Sequence, residues 1–229
     1  MEGTSLSRVP SDVMDDTAVI NTLLGPDSEG IRLIAVSTLH GSATIDGTSG
    51  PMGNDADAQL FAALRGWADI AVVGSGTVKA ERYGASTSTR LAVFSHSLNF
   101  EGFEDFIAGK PIILTPEDRA DSADARALAA AGAEIVSTGT GTVTEAIEAL
   151  QAQGATRISC EGGPSLYSAF IEAGLVDKLY LTIDPHISPS VEKPVVDGHA
   201  TSPALRLELE NVTPVDSTVF LRYRRISTP

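Results

Sequence analysis

Apolar and polar positions follow two different spacings along this chain. Short apolar runs rich in branched residues are typical of buried strands, whereas apolar residues three or four positions apart are typical of helices. The first pattern predicts strands at residues 31–37, 70–75, 91–97, 111–116, 133–137, 157–161 and 178–187, with a closing pair at 205–209 and 218–223.

Helical spacing occurs in four stretches between these strands. The first follows Asp55, which is a predicted N-cap, and the second is alanine-rich and stops at Gly132. The third begins with the capping-box residues Thr142 and Glu145. The fourth follows residue 163 and stops at Gly174.

This order of elements predicts an α/β fold. Strands that alternate with helices form a mostly parallel sheet with helices on both faces, and the last strands add an antiparallel edge. Residues 1–29 are polar apart from a short apolar patch at 19–24, and we interpret them as an N-terminal arm packed on the body or on a partner. Residues 30–229 contain no repeat or linker and are predicted to form one domain.

Composition excludes several classes of function. The 229 residues are 42% hydrophobic, which is sufficient for a full core. A net charge of −14 argues against a nucleic-acid surface. No apolar segment has the length expected of a membrane span. One cysteine excludes an internal disulfide framework, so we expect a cytoplasmic protein.

Two glycine turns suggest a ligand site. Gly74 and Gly76 follow one predicted strand, and Gly162 and Gly163 follow another. Each turn leads into a predicted helix, so positive φ angles and free N–H groups would form a phosphate cradle. Neither turn matches the Rossmann fingerprint or the P-loop. The alternative is that both turns only close a loop.

The ordered motifs resemble a known family. They are VGSGTV at 73–78, CEGGPSL at 160–166 and AGLVD at 173–177, preceded by a glycine-rich loop after residue 37. The chain resembles the reductase domain of riboflavin biosynthesis, the C-terminal half of the bifunctional deaminase-reductase, in its stand-alone pyrimidine-reductase-like form. The resemblance covers about residues 31–189 and implies a dihydrofolate-reductase-like fold, with 30–229 as a single reductase domain.

The resemblance implies NADPH as the cofactor. It assigns the pyrophosphate side of NADPH to the first turn and its helix, and the remaining cofactor contacts to the second turn. Ser95 and Ser97 flank His96 after the third strand, where such folds meet the 2′-phosphate of NADPH; the alternative is a solvated loop. The residues assigned to the cofactor are therefore Gly74, Gly76, Thr77, Ser95, Ser97, Gly162, Gly163 and Leu166.

Glu161 and His40 are the predicted catalytic residues. The resemblance gives Glu161 hydrogen bonds to the substrate, and the alternative is a carboxylate that accepts backbone N–H bonds in its own turn. His40 stands where the family has aspartate, and the alternative is a solvated loop histidine.

Thr38, Ser49 and Arg65 are the predicted substrate contacts. Gln59 replaces an arginine that many members carry for a substrate phosphate, so Arg65 would serve unless it is a solvated helix charge.

The expected activity is NADPH-dependent reduction of 5-amino-6-(5-phosphoribosylamino)uracil. The alternatives are a same-fold reductase of another pteridine-like or imine substrate, and a catalytically silent nucleotide-binding protein. The resemblance also implies a homodimer, for which the arm would supply a surface. No metal site is expected, because the spacings of His186, His199, Asp184 and Asp197 match no zinc signature.

Overall fold

The structure is a computed structural model that describes residues 16–86, 88–197 and 204–226. Nine strands form one sheet within these residues. The strands are β1 Gly30–Thr38, β2 Ile70–Gly74, β3 Arg90–Phe94, β4 Ile112–Thr115, β5 Glu134–Ser137, β6 Arg157–Cys160, β7 Lys178–Asp184, β8 Leu207–Val215 and β9 Thr218–Arg225.

Eight helices accompany the sheet in the described part of the chain. They are α1 Asp16–Leu24, α2 Asp55–Trp67, α3 Ser75–Ala80, α4 Glu104–Ala108, α5 Glu117–Ala120, α6 Ala123–Ala130, α7 Val143–Ala152 and α8 Pro164–Glu172.

The sheet has the predicted mixed topology. Its order is β5-β4-β3-β2-β6-β1-β7-β9-β8. The first seven strands in this order are parallel, and β9 and β8 add an antiparallel edge. β6 lies between β2 and β1, so the turns after β2 and β6 are neighbours although about 90 residues separate them.

Helices cover both faces of the sheet. Successive residues of a strand point to opposite faces, so each face packs against its own set of helices. Val72 packs with the helices α7 and α8 on one face. Its neighbours Ala71 and Val73 pack with α3, α4 and α6 on the other. This two-sided burial explains why the central strands are continuous apolar runs rather than alternating ones.

The structure corrects several predicted boundaries. Asn54, not Asp55, caps α2 by accepting a hydrogen bond from the backbone N–H of Asp57. The capping box of Thr142 and Glu145 is confirmed at α7. Strand β8 extends six residues beyond its predicted end, because an edge strand tolerates polar residues and Pro214. The short helices α4 and α5 were not predicted, since neither is long enough to show a period.

The expected arm contains α1, which packs on the body of the same chain. Leu23 is buried in a cluster with Leu60, Leu64, Tyr180 and Phe220. Of the two placements expected for the arm, on the body or on a partner, the structure shows the first for α1: Leu23 is buried, and Val19, Ile20 and Leu24 are partly buried against the body. Residues 1–15 of the arm lie outside the described residues.

Candidate active site

Two cavities lie at the carboxyl-terminal edge of the parallel strands. The larger has a volume of about 370 Å³ and is lined by β1, the 43–52 loop, α2, α3 and the turn after β6. The smaller, about 300 Å³, is lined by both glycine turns, the start of α8 and residues 193–197. Thr77, Gly163, Pro164 and Lys193 line both cavities. The two spaces therefore meet at these four residues.

The two glycine turns contact each other directly. The backbone N–H of Gly74 donates to the carbonyl oxygen of Gly162 at 2.8 Å. Gly162 has the expected positive φ, 95°, and a Cβ there would lie 2.7 Å from the ring of Tyr167. The expectation of positive φ at Gly74 and Gly76 is wrong, because β2 runs straight into α3 and Gly76 is helical.

The start of α8 suits an anion. Gly163 is its N-cap and provides no side-chain cap, and Pro164 at N1 has no N–H, so the available donors are the N–H groups of Ser165 and Leu166. A Cβ at Gly163 would lie 2.9 Å from Oγ1 of Thr77, so a larger residue would require the Thr77 side chain to shift. The carboxylate of Asp197 also lines this cavity and accepts a hydrogen bond from the hydroxyl of Ser165 at 3.0 Å. A helix start beside a glycine turn is a typical phosphate site, and its free backbone N–H groups fit the pyrophosphate of a dinucleotide.

Glu161 and Arg65 form a buried ion pair beside the larger cavity. Nε of Arg65 donates to Oε1 of Glu161 and Nη2 donates to Oε2, both at 2.6 Å. The hydroxyl of Tyr83 donates to Oε2 at 3.2 Å. The Glu161 side chain is fully buried, while that of Arg65 is 19% exposed. This carboxylate is held in place from two elements, α2 and the segment after α3.

The ion pair also perturbs its neighbours. Burial lowers the pKa of Arg65, but the hydrogen bonds and charge of Glu161 outweigh burial and raise it. Burial and then the charge of Glu161 raise the pKa of Tyr83. Arg65 and Tyr83 therefore stay protonated as hydrogen-bond donors to the carboxylate. Three of the roughly four acceptor positions of Glu161 are used, and one on Oε1 remains.

The comparisons with known proteins identify the family. Residues 31–221 match the family described as the RibD C-terminal domain. A pyrimidine reductase-like protein from Corynebacterium diphtheriae is 31% identical, over 92% of this chain and 99% of its own, with a TM-score of 0.81. The chain belongs to the RibD C-terminal domain family. It is thereby placed among reductases, as the sequence motifs predicted.

More distant structures show the fold of this RibD C-terminal-domain protein. A Thermotoga maritima diaminohydroxyphosphoribosylaminopyrimidine deaminase/5-amino-6-(5-phosphoribosylamino)uracil reductase matches at 16% identity with a TM-score of 0.70, over 86% of this chain and 57% of its own. Enterococcus faecalis dihydrofolate reductase, solved with NADP(H), matches at 15% identity with a TM-score of 0.54, over 86% and 96%. The dihydrofolate-reductase-like fold is confirmed. A search of curated proteins finds no match.

The structure places most predicted cofactor residues of this RibD C-terminal-domain protein together. Gly74, Gly76, Thr77, Gly163 and Leu166 line the smaller cavity. Gly162 lines the larger one.

Ser95 and Ser97 line neither cavity. The hydroxyl oxygen of Ser95 accepts a hydrogen bond from the backbone of Leu98, and Ser97 is exposed. The pairing of Gly74 with Phe94 nevertheless puts the segment from Ser95 onward beside the first glycine turn.

The predicted substrate residues separate into two groups. Ser49 lines the larger cavity, and so does Glu161. Thr38 and His40 lie outside both cavities, and Arg65 faces Glu161 instead of the open space. The placement thus gives Arg65 an ion-pair role rather than that of a free phosphate ligand.

His40 joins two loops beside the larger cavity. Its Nε2 lies 3.0 Å from the carbonyl oxygen of Ser190, which only accepts, so this nitrogen carries the proton. Its Nδ1 accepts from the hydroxyl of Thr38 at 3.0 Å. The oxygen of Thr38 in turn accepts from the backbone of Ser42 at 2.9 Å. Thr38 and His40 therefore hold in place the loop that lines the cavity and do not line the cavity themselves.

Asp57 is a cavity residue that the sequence analysis missed. It lies in the first turn of α2, and its Oδ1 accepts from the hydroxyl of Thr182 at 2.6 Å. Burial raises the pKa of this carboxyl, the Thr182 hydrogen bond opposes the rise, and the charge of Asp184 adds to it. Acidic residues are common in the first turn of helices, so the sequence carries no signal that distinguishes Asp57 from Asp55.

Cys160 has structural rather than catalytic surroundings. Burial raises the pKa of the Cys160 thiol to about 12. The thiol therefore stays protonated near neutral pH and does not supply the thiolate that a nucleophile requires. The described residues contain no group of three side chains suited to a metal ion, and His199 lies outside them. No helix in the described part of the chain is long and apolar enough to span a membrane.

We predict that Arg65→Met destabilises the protein by about 3 kcal/mol or more, because it leaves the fully buried Glu161 carboxylate without its counter-ion. The matched control is Arg90→Met, which breaks a pair with Glu134 whose side chains are 42% and 41% exposed. Such a surface pair contributes less than about 1 kcal/mol. Urea denaturation of both variants measures the difference, and equal small losses would contradict the assigned role of the buried pair.

Proposed function

We propose that this protein is an NADPH-dependent reductase of a pyrimidine-derived substrate. The observation that carries the proposal is the junction of the two cavities at Thr77, Gly163 and Pro164. One cavity has the bare helix start that suits a pyrophosphate, and the other has the volume and polar groups that suit a heterocycle. A nicotinamide at the junction would face a substrate in the larger cavity, as hydride transfer requires.

The residues of the larger cavity have distinct proposed roles. The remaining acceptor position of Glu161 orients an N–H or O–H group of the substrate. The aromatic rings of Phe61 and Tyr167, with Met52, exclude water from the reacting atoms. NADPH supplies the hydride when it is bound. The proposed substrate is 5-amino-6-(5-phosphoribosylamino)uracil, whose ribose-derived imine carbon would accept that hydride while the imine nitrogen takes up a proton.

The preference for NADPH over NADH is assigned to the segment after β3. Ser95 and Ser97 flank His96, which is exposed, in the segment that follows β3 next to the first glycine turn. Hydroxyl and imidazole groups donate hydrogen bonds to a phosphate. The hydroxyl of Ser95 is buried, so Ser97 and His96 are the more accessible donors.

A second candidate is the reduction of an unphosphorylated pteridine-like substrate, and Asp57 favours it. Lys193 is the sole cationic side chain among the described residues that line the larger cavity, which also contains Asp57, Glu81 and Glu161. Arg65 is committed to Glu161. A cavity richer in carboxylates than in cations suits a heterocycle with several N–H donors better than a phosphate ester.

We also propose that the protein is a cytoplasmic homodimer. The support is the resemblance to reductases that pair, together with two exposed apolar side chains on the edge strand β8, which also carries Glu208, Glu210 and Pro214. Leu209 and Val212 of the edge strand β8 are 48% and 50% exposed, respectively. Edge strands with exposed apolar side chains favour pairing with another chain.

The purified protein is expected to oxidise NADPH when 5-amino-6-(5-phosphoribosylamino)uracil is supplied, and to do so more efficiently than it oxidises NADH. Glu161→Gln should slow this reaction by about tenfold to a hundredfold while NADPH affinity changes little, because a charge-assisted hydrogen bond to the substrate is lost. Absorbance of NADPH follows the reaction, and thermal melting confirms that the variant folds. Binding of NADPH without turnover on this compound or on a dihydropterin would favour the catalytically silent alternative.

With a dihydropterin as substrate, the second candidate predicts that the rate falls as pH rises through the raised pKa of Asp57, since the protonated carboxyl is the acid. Asp57→Asn should remove this pH dependence and lower kcat/KM by about tenfold or more. Asp55→Asn is the control, because Asp55 occupies the same helical turn but is exposed. An unchanged pH profile in Asp57→Asn would exclude the carboxyl as the acid.

Light scattering at micromolar concentration should give the mass of a dimer, and Val212→Lys should shift that mass toward the monomer, because a lysine on an edge strand opposes pairing. Val191→Lys is a control at an exposed valine outside the sheet. A monomer mass for the unmodified protein would contradict the proposed assembly.

A further inference from the structure

The segment 192–194 connects the two cavities. Lys193 borders both of them, and Pro194 borders the smaller. None of the ion pairs formed by the described residues involves Lys193. Lys193 thus brings a positive charge to the junction of the cavities, beside the start of α8, and Asp197 is the other charged residue among the described ones that line the smaller cavity.

The backbone of this segment is fixed to the loop of the larger cavity. The N–H of Ala43 donates to the carbonyl oxygen of Lys193 at 2.7 Å. Ser42 forms an isolated bridge with Pro194, and its hydroxyl oxygen accepts from the N–H of Glu192 at 3.2 Å. The position of Lys193 is therefore set by residues 42–43.

Glu192 holds the next part of the same loop. Its carboxylate accepts from the N–H groups of Asp46 and Gly47 at 3.0 and 3.1 Å, and from the hydroxyl of Thr44 at 3.1 Å. Thr44 and Gly47 line the larger cavity. Adjacent residues thus contact different ligand spaces: Glu192 holds a wall of the larger cavity, and Lys193 reaches the smaller one.

We infer that the segment 192–194 couples cofactor binding to the order of the substrate loop, with Lys193 binding the cofactor pyrophosphate and Glu192 holding residues 44–47. This inference rests on the proposed function, because it requires a dinucleotide in the smaller cavity. A pyrophosphate that fixes Lys193 also fixes Glu192, and the three hydrogen bonds of Glu192 then restrain the loop. Cofactor binding would in this way prepare the larger cavity for its substrate.

The first test measures NADPH affinity by nicotinamide fluorescence. Lys193→Met should weaken binding by about tenfold or more and reduce its dependence on salt, because one charge-assisted contact is lost. Lys193→Arg keeps the positive charge and should therefore retain most of the affinity for NADPH. A purely structural role of the lysine would not require this result. Lys110→Met is the control. It makes the same charge change just before β4, at the amino-terminal ends of the parallel strands, and should bind NADPH normally.

The second test measures hydrogen exchange of the amides at residues 44–48 with saturating NADPH. Binding should slow exchange by about fivefold in the unmodified protein and by less than about twofold in Glu192→Gln, because an amide side chain lacks the second acceptor oxygen. Glu148→Gln, an exposed site on α7, is the control and should behave like the unmodified protein.

The outcomes separate the inference from the proposed function. If the unmodified protein binds neither NADPH nor NADH, the proposed function fails and the coupling fails with it. If it binds NADPH but Lys193→Met binds equally well with the same salt dependence, the assignment of Lys193 is wrong while the reductase proposal stands. Equal loop protection in Glu192→Gln and the unmodified protein would overturn the coupling.

Discussion

The candidate site depends on one buried ion pair, between Glu161 at the end of β6 and Arg65 on α2. A carboxylate without exposed surface is stable only when it is compensated by charge and hydrogen bonds. Arg65 supplies two such bonds and Tyr83 a third. The pair therefore fixes α2 against the turn after β6, and this contact sets the distance between the two sides of the larger cavity. It also leaves a single acceptor position on Oε1 of Glu161 without a partner among these three donors.

The second constraint is the order of the strands. Placing β6 beside β2 brings two glycine turns into hydrogen-bonding contact, with Gly74 donating to Gly162. In a parallel sheet, all such turns lie at the same edge, where ligands usually bind. The turn after β6 then serves two spaces at once, because Gly163 begins α8 and borders both cavities. The proposed positions of cofactor and substrate both follow from this one topological feature.

Much of this architecture could be predicted from the sequence, because it depends on local patterns. Apolar runs located the core strands, and the spacing of Thr142 and Glu145 located the start of α7. The pairing of Arg65 with Glu161 could not be predicted, because the two residues are 96 positions apart and each alone resembles an ordinary charged residue. Asp57 and Lys193 were missed for the same reason: their importance arises from the space they border, and no local pattern records that space.

We propose that one dinucleotide binds across both glycine turns with its nicotinamide at the junction of the cavities. A crystal structure of the complex with NADPH is the decisive measurement. We expect the pyrophosphate against Gly163 and the first turn of α8, with the nicotinamide ring beside Gly162 and facing the cavity that contains Asp57 and Glu161. A dinucleotide bound elsewhere on the sheet, with the smaller cavity free of phosphate, would show that the proposed binding mode is wrong.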